Sequence, residues 1–151
     1  MSPTLSASRL NYFQACQHHA ALWLQGVRPE ESVDASLELI GRKGFEHEAK
    51  VLSALTAQLG GVEEISSSGS LELRREQTLI AMKAGAPLIY QGALANDRWI
   101  GFPDFLVRTE RGPGGVWTYE PEDAKLARSA KAEHLLQLGV YATLLADQTG
   151  V

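Results

Sequence analysis

Apolar residues first recur at near-helical spacing through Leu10, Phe13, Ala20, Leu22 and Leu24. Ser6 or Ser8 is placed to cap that helix and Gly26 to stop it. Residues 28–32 read as a turn or linker. A second helix is predicted over 36–59, carrying Leu37, Ile40, Phe45, Val51, Leu52 and Leu55 and ending at Gly60-Gly61. A short strand over 62–65 and a Ser66-Ser67-Ser68-Gly69 loop lead to a third helix over 73–84, with Gly85 as its cap.

The period then changes. Segments 88–95, 98–108 and 116–126 are rich in β-branched and aromatic residues and are separated by Asn96-Asp97 and by Gly112-Pro113-Gly114-Gly115. They read as an antiparallel three-stranded meander. A final helix is predicted over 129–148. This order implies an α/β or α+β domain with one central mixed sheet flanked by helices. No internal repeat is visible. Gly150 marks a helix end that would ordinarily feed another strand, so the expectation is a single domain over 1–151 truncated from a longer chain.

Composition adds bounds. The 151 residues are 44% hydrophobic and 21% charged, the profile of one compact domain rather than a disordered chain. Cys16 is the sole cysteine, which excludes an intrachain disulfide and any four-cysteine metal site from this chain alone and fits a reducing, cytoplasmic setting. No leader pattern and no apolar run of membrane-spanning length is present. The net charge of −4 argues against a free-standing, high-affinity nucleic-acid binder. It is compatible with an enzyme that concentrates carboxylates at a metal site and keeps a local basic rim.

Residues two apart on a strand share a face, which puts Asp123 and Lys125 side by side with the Ala124 carbonyl between them. Antiparallel pairing across the Gly112–Gly115 loop brings Asp104 toward Asp123. Hard oxygen donors of this kind hold Mg²⁺ or Mn²⁺, and a lysine beside them can orient a nucleophile or stabilise a charged transition state. An isolated Asp-x-Lys pair is otherwise an exposed ion pair worth under ~1 kcal/mol. Here both acids lie among Phe102, Phe105, Leu106, Val107, Trp117 and Tyr119, where an unpaired carboxylate is costly.

Four motifs follow one another: Gly44-Phe45-Glu46-His47, Pro103-Asp104, Asp123-Ala124-Lys125 and Gln137-Leu138-Gly139-Val140-Tyr141. In this order, with Ile89-Tyr90-Gln91-Gly92 before the first sheet acid and Lys125-Leu126-Ala127-Arg128 after the lysine, the chain resembles the PD-(D/E)XK superfamily. The likeness is closest to RecB-like nuclease domains, which include CRISPR-associated exonucleases and a branch fused to helicases. The resemblance implies a restriction-endonuclease-like core. It implies His47, Asp104 and Asp123 as ligands of Mg²⁺ or Mn²⁺, with Asp104, Asp123 and Lys125 as the catalytic set. Gln137, Tyr141 and Arg128 would line the substrate side.

The residues themselves add detail. Imidazole suits Mn²⁺ better than Mg²⁺. Gln137 and Tyr141 are one helical turn apart and share a face, which His134 can join. Arg108, Arg128 and Lys131 are candidates for phosphate contact or equally for ordinary surface charge, and Glu48 reads as a solvated face residue, with a second metal ligand as the other reading. Pro121 implies a kink or edge position in the strand before Asp123, with Glu120 on the opposite face. Some RecB-like relatives hold an iron–sulfur cluster with one early and three late cysteines; Cys16 matches the early position, but no later cysteine follows it. The expected function is hydrolysis of DNA phosphodiesters, on single strands or at ends, with a helicase domain as a possible partner. The alternative is a non-cleaving nucleic-acid binding or interaction module that retains the fold.

Overall fold

The computed structural model describes residues 4–28, 35–125, 129 and 131–150. In chain order these form β1 (Leu5–Ser6), a 3-10 turn (Ala7–Arg9), α1 (Leu10–Ala15), α2 (Gln17–Leu24), α3 (Ala35–Leu59) and β2 (Glu63–Glu64). There follow α4 (Leu71–Ala84), β3 (Leu88–Tyr90), β4 (Leu94–Ala95), β5 (Trp99–Gly101), β6 (Phe105–Arg111), a second 3-10 turn (Pro113–Gly115), β7 (Trp117–Glu122) and α5 (Ala132–Thr149). The architecture is α+β, with five helices among the described residues. None of them is long and apolar enough to cross a membrane.

Two small mixed sheets replace the single central sheet that the pattern predicts. One has the order β1-β5-β4, the other β2-β3-β6-β7. Each of the first two predicted strands is broken in its middle. After β3, Gln91 takes a left-handed backbone (φ 57°), which no extended strand accommodates. After β5, Pro103 lacks the N–H that a ladder needs, so pairing lapses over 102–104. β3 and β6 therefore stay in the sheet of β7, while β5 pairs with β1 on one side and with β4 on the other. The last strand is also shorter than predicted, ending at Glu122.

The predicted first helix is likewise two helices. Cys16 adopts an extended conformation (φ −164°, ψ 113°) between α1 and α2. Ser6 does not cap a helix; its hydroxyl hydrogen-bonds that of Ser8 at 2.9 Å. Other boundaries agree with the pattern. Ser70 caps α4 by accepting from the Leu73 amide at 3.2 Å, and Gly85 closes it in the left-handed region at φ 74°. β7 is an edge strand, the position that Pro121 implies, and Glu120 and Glu122 are exposed on it.

The core lies between the sheets and the inner faces of α4 and α5, and includes Ala81, Met82, Ile89, Leu94, Leu106, Tyr119, Tyr141 and Leu144. Thr78, fully buried, ties α4 to the bend after β3: its hydroxyl donates to the Arg74 carbonyl (2.8 Å) and accepts from the Ala93 amide (3.0 Å). α5 docks on β5 through Gly101, where an added Cβ would come within 2.5 Å of the Tyr141 ring. Only glycine lets that tyrosine sit against the strand leading to Asp104. Gly101→Ala should therefore destabilise the fold by about 1–3 kcal/mol through overpacking, read as a lowered midpoint in urea denaturation. An unchanged midpoint would contradict this packing.

Candidate active site

The register of the β6–β7 hairpin builds the site. Phe105 pairs with Glu122, so the next step outward sets Asp104 opposite Asp123. Neither acid lies within a strand. Asp104 sits at the bend before β6, and Asp123 and Lys125 lie just past β7, a correction to the expectation that strand alternation places them. Hydrogen bonds hold them instead. The Asp104 amide donates to Asp123 Oδ1 (3.3 Å), and the Ala124 amide donates to Asp104 Oδ2 (2.8 Å). Each acid is thus tied to the backbone of the other segment.

Lys125 Nζ stands 3.3 Å from Asp123 Oδ2, and the Asp123 side chain is only 3% exposed against 36% for the lysine. That buried Oδ2 accepts no hydrogen bond among the described residues. The ammonium offsets its charge without capping it. Asp104 is pushed up to about 6, first by burial and next by the Asp123 charge; Glu48 adds to the rise, while the Ala124 amide and Lys125 oppose it. Two carboxylates are held together with less than one full counter-charge each, the arrangement that favours either a shared proton or a bound cation.

Glu48 departs from the solvated-face reading that the sequence favours. It does not lie on a solvated face: its Oε1 accepts from the Tyr90 hydroxyl (2.8 Å) and from Gln91 Nε2 (2.7 Å). Burial, together with the bond to Glu48, raises the Tyr90 phenol to about 12. A groove lined by Phe45, Glu48, Glu64, Ile65, Tyr90 and Gln91 opens beside it. Its neighbour His47 is half-buried on α3 and makes no hydrogen bond or ion pair among the described residues. Among the described residues no group of three or more His, Cys, Asp or Glu side chains is spaced to hold a metal ion. The expected third ligand is not gathered with the two aspartates. Glu48 is the α3 side chain whose charge reaches Asp104.

Gln137 and Tyr141 do come together on α5, but they are buried, 6% and 1% exposed, rather than facing a cleft. Gln137 Nε2 donates to the Tyr141 hydroxyl (2.6 Å), which donates to the Phe102 carbonyl (3.3 Å). Burial raises the Tyr141 phenol, and the nearby Asp123 and Asp104 charges raise it further. The pair supports the Phe102–Asp104 bend from beneath. Arg74, unforeseen, braces the bends from α4, with Nη2 on the Gln91 carbonyl (3.2 Å) and its guanidinium 4.5 Å from the Phe102 ring centre. The Gln91 amide in turn donates to the Asp104 carbonyl (2.9 Å).

The other cations expected near phosphate are placed elsewhere or lie outside view. Arg108 donates to the Gly85 carbonyl and stacks 4.4 Å from the Trp117 ring, a packing role. Lys131 approaches Glu133 at 4.0 Å, and His134 accepts from the Lys131 amide at the start of α5. Arg128 lies outside the described residues. No family model, curated protein or solved structure matches the chain.

The carboxylate pair has a pH consequence. Because the folded state holds the Asp104 proton up to about 6 and the unfolded chain releases it near the ordinary value of 3.8, the folded state binds the extra proton between these values. Its contribution to stability is then present below pH 4 and lost as pH rises toward 6. Without divalent cations Asp104→Asn should melt a few degrees above wild type at pH 7.5, with the gap closing below pH 4. An Asn variant less stable than wild type across that range would refute the electrostatic strain.

Proposed function

We propose that the chain is a RecB-like nuclease domain of the PD-(D/E)XK superfamily, built on a restriction-endonuclease-like core, that hydrolyses DNA phosphodiester bonds on single strands or at ends. The observation that carries the reading is the Asp104–Asp123 pair with Lys125 against it. A buried carboxylate oxygen without a hydrogen-bond partner, beside an acid whose proton affinity is raised, is a donor set suited to Mg²⁺ or Mn²⁺. Asp104 and Asp123 would hold the ion, with His47 or Glu48 supplying the α3 donor. When bound, such an ion lowers the pKa of a coordinated water and offsets charge on a phosphate oxygen.

The chain's own groups account for the rest. The Asp104 and Ala124 amides fix the carboxylates in place before substrate arrives, so no reorganisation is needed at the moment of reaction. Lys125, more exposed than its partner acid, can leave Asp123 and meet the charge developing on the scissile phosphate. Gln137 and Tyr141 act on Asp104 through the Phe102 carbonyl, and Arg74 acts through Gln91. These are positioning residues.

Incubation of the protein with labelled single-stranded DNA and Mn²⁺ should yield cleavage that Lys125→Ala lowers by roughly a hundredfold or more. No cleavage by wild type, or equal cleavage by both, rejects the enzyme. A second reading, a non-cleaving nucleic-acid module with the same fold, is favoured by one observation: His47 does not converge on the aspartates. It predicts a Mn²⁺-dependent rise in melting temperature that Asp104→Asn abolishes, with no cleavage of any nucleic acid.

A further inference from the structure

Away from the carboxylates, the N-terminal segments enclose an apolar cavity of about 240 Å³ lined by Tyr12, Phe13, Trp23 and Trp99 with Arg9 among them. The Arg9 guanidinium lies 5.3 Å from the Tyr12 ring centre and 4.6 Å from that of Trp23, and Arg28 lies 4.8 Å from Trp23. Neither arginine meets a carboxylate among the described residues. Trp23 Nε1 is buried without a hydrogen-bond partner among the described residues, and Phe13 remains 55% exposed at the rim.

Aromatic faces alternating with guanidinia that meet no carboxylate among the described residues, Arg28 Nη1 being held by the Trp23 and Val27 carbonyls, suit a ligand that is both planar and anionic. The geometry points to a stacking site for the bases of single-stranded DNA, with Arg9 and Arg28 at its phosphates. Bases stack on aromatic rings and on guanidinium planes without regard to sequence, and each phosphate neutralised by an arginine adds a salt-dependent increment. An apolar protein segment would use the same walls but offers no anion to the two guanidinia, which meet no carboxylate among the described residues.

Position supports the assignment. Trp99 lies on β5, five residues before Asp104, so the cavity wall and the carboxylate pair are at most roughly 18 Å apart along the chain. Gly101, between them, is the residue that receives Tyr141. A strand seated on Trp23 and Trp99 can thus extend to Asp104 and Asp123. The inference rests on the nuclease reading for the choice of DNA, yet its test is separate.

Binding of fluorescein-labelled oligothymidylate in EDTA, where no cleavage occurs, should be about five- to tenfold weaker for Trp23→Leu. Arg9→Gln should lower the slope of log affinity against log salt by about one. Two of the three tryptophans line the cavity, so the oligonucleotide should also quench intrinsic fluorescence. If Trp23→Leu loses the wild-type circular dichroism, Tyr12→Leu and Arg9→Gln decide. Unchanged affinity in the folded variants overturns the site, whether or not the enzyme cleaves. Binding that needs Trp23 and Arg9 while wild type never cleaves upholds the site and rejects the nuclease. Loss of hydrophobic-dye binding in Trp23→Leu with unchanged strand affinity overturns the proposal and assigns the face to a protein partner.

Discussion

Holding two carboxylates together against their own repulsion is the constraint around which this chain is arranged. Asp104 and Asp123 come from segments that a hairpin register sets opposite each other, and each is pinned by an amide of the other segment. The amides compensate part of the charge and Lys125 another part. Burial and, after it, the uncompensated Asp123 charge raise the proton affinity of Asp104. A fold selected for stability alone would replace such a pair by apolar groups, because buried charges rarely repay their desolvation.

Much of the support is backbone that departs from regular structure. The bend after β3 turns on a left-handed Gln91, and the bend before β6 on Pro103. Three side chains converge on these two bends: Arg74 from α4, Glu48 from α3 and Tyr141 from α5. Each contacts a backbone carbonyl or a bend side chain, so the three helices bracket the site. The breaks in the sheet coincide with the carboxylate pair, as expected where local regularity gives way to a candidate site.

The helices were largely legible from the chain. α3 and α4 show helical periodicity and end at glycines, signals that act locally and need no tertiary information. The approach of Asp104 to Asp123 was legible too, because antiparallel pairing across Gly112–Gly115 brings the two segments together, but the register shift between Arg108 and Arg111 that sets the two acids opposite each other was not. The breaks at Cys16 and Gln91 carried no local signal. Nor does a β-rich segment reveal that its two halves join different sheets, which depends on partners distant in sequence such as β1.

Side-chain roles were harder to read where docking decides them. His47 and Glu48 are consecutive on α3 and so point about 100° apart. Which one faces the aspartates depends on the rotation of α3 about its own axis. A strongly one-sided helix would have announced that rotation, but α3 leaves Leu37, Ile40 and Phe45 exposed at 60%, 60% and 74%. Its apolar residues therefore do not mark the face against β3. The bonds from Tyr90 and Gln91 to Glu48 do mark it. The same logic separates Arg108 from Arg74. Arg108 lies near Asp104 in sequence, yet it is consumed by Trp117 and the Gly85 carbonyl, while Arg74, distant in sequence, braces the bend beside Asp104. Charge alone selects neither. The element that carries each cation, and the ring that it stacks on, determine whether it can act on the carboxylates.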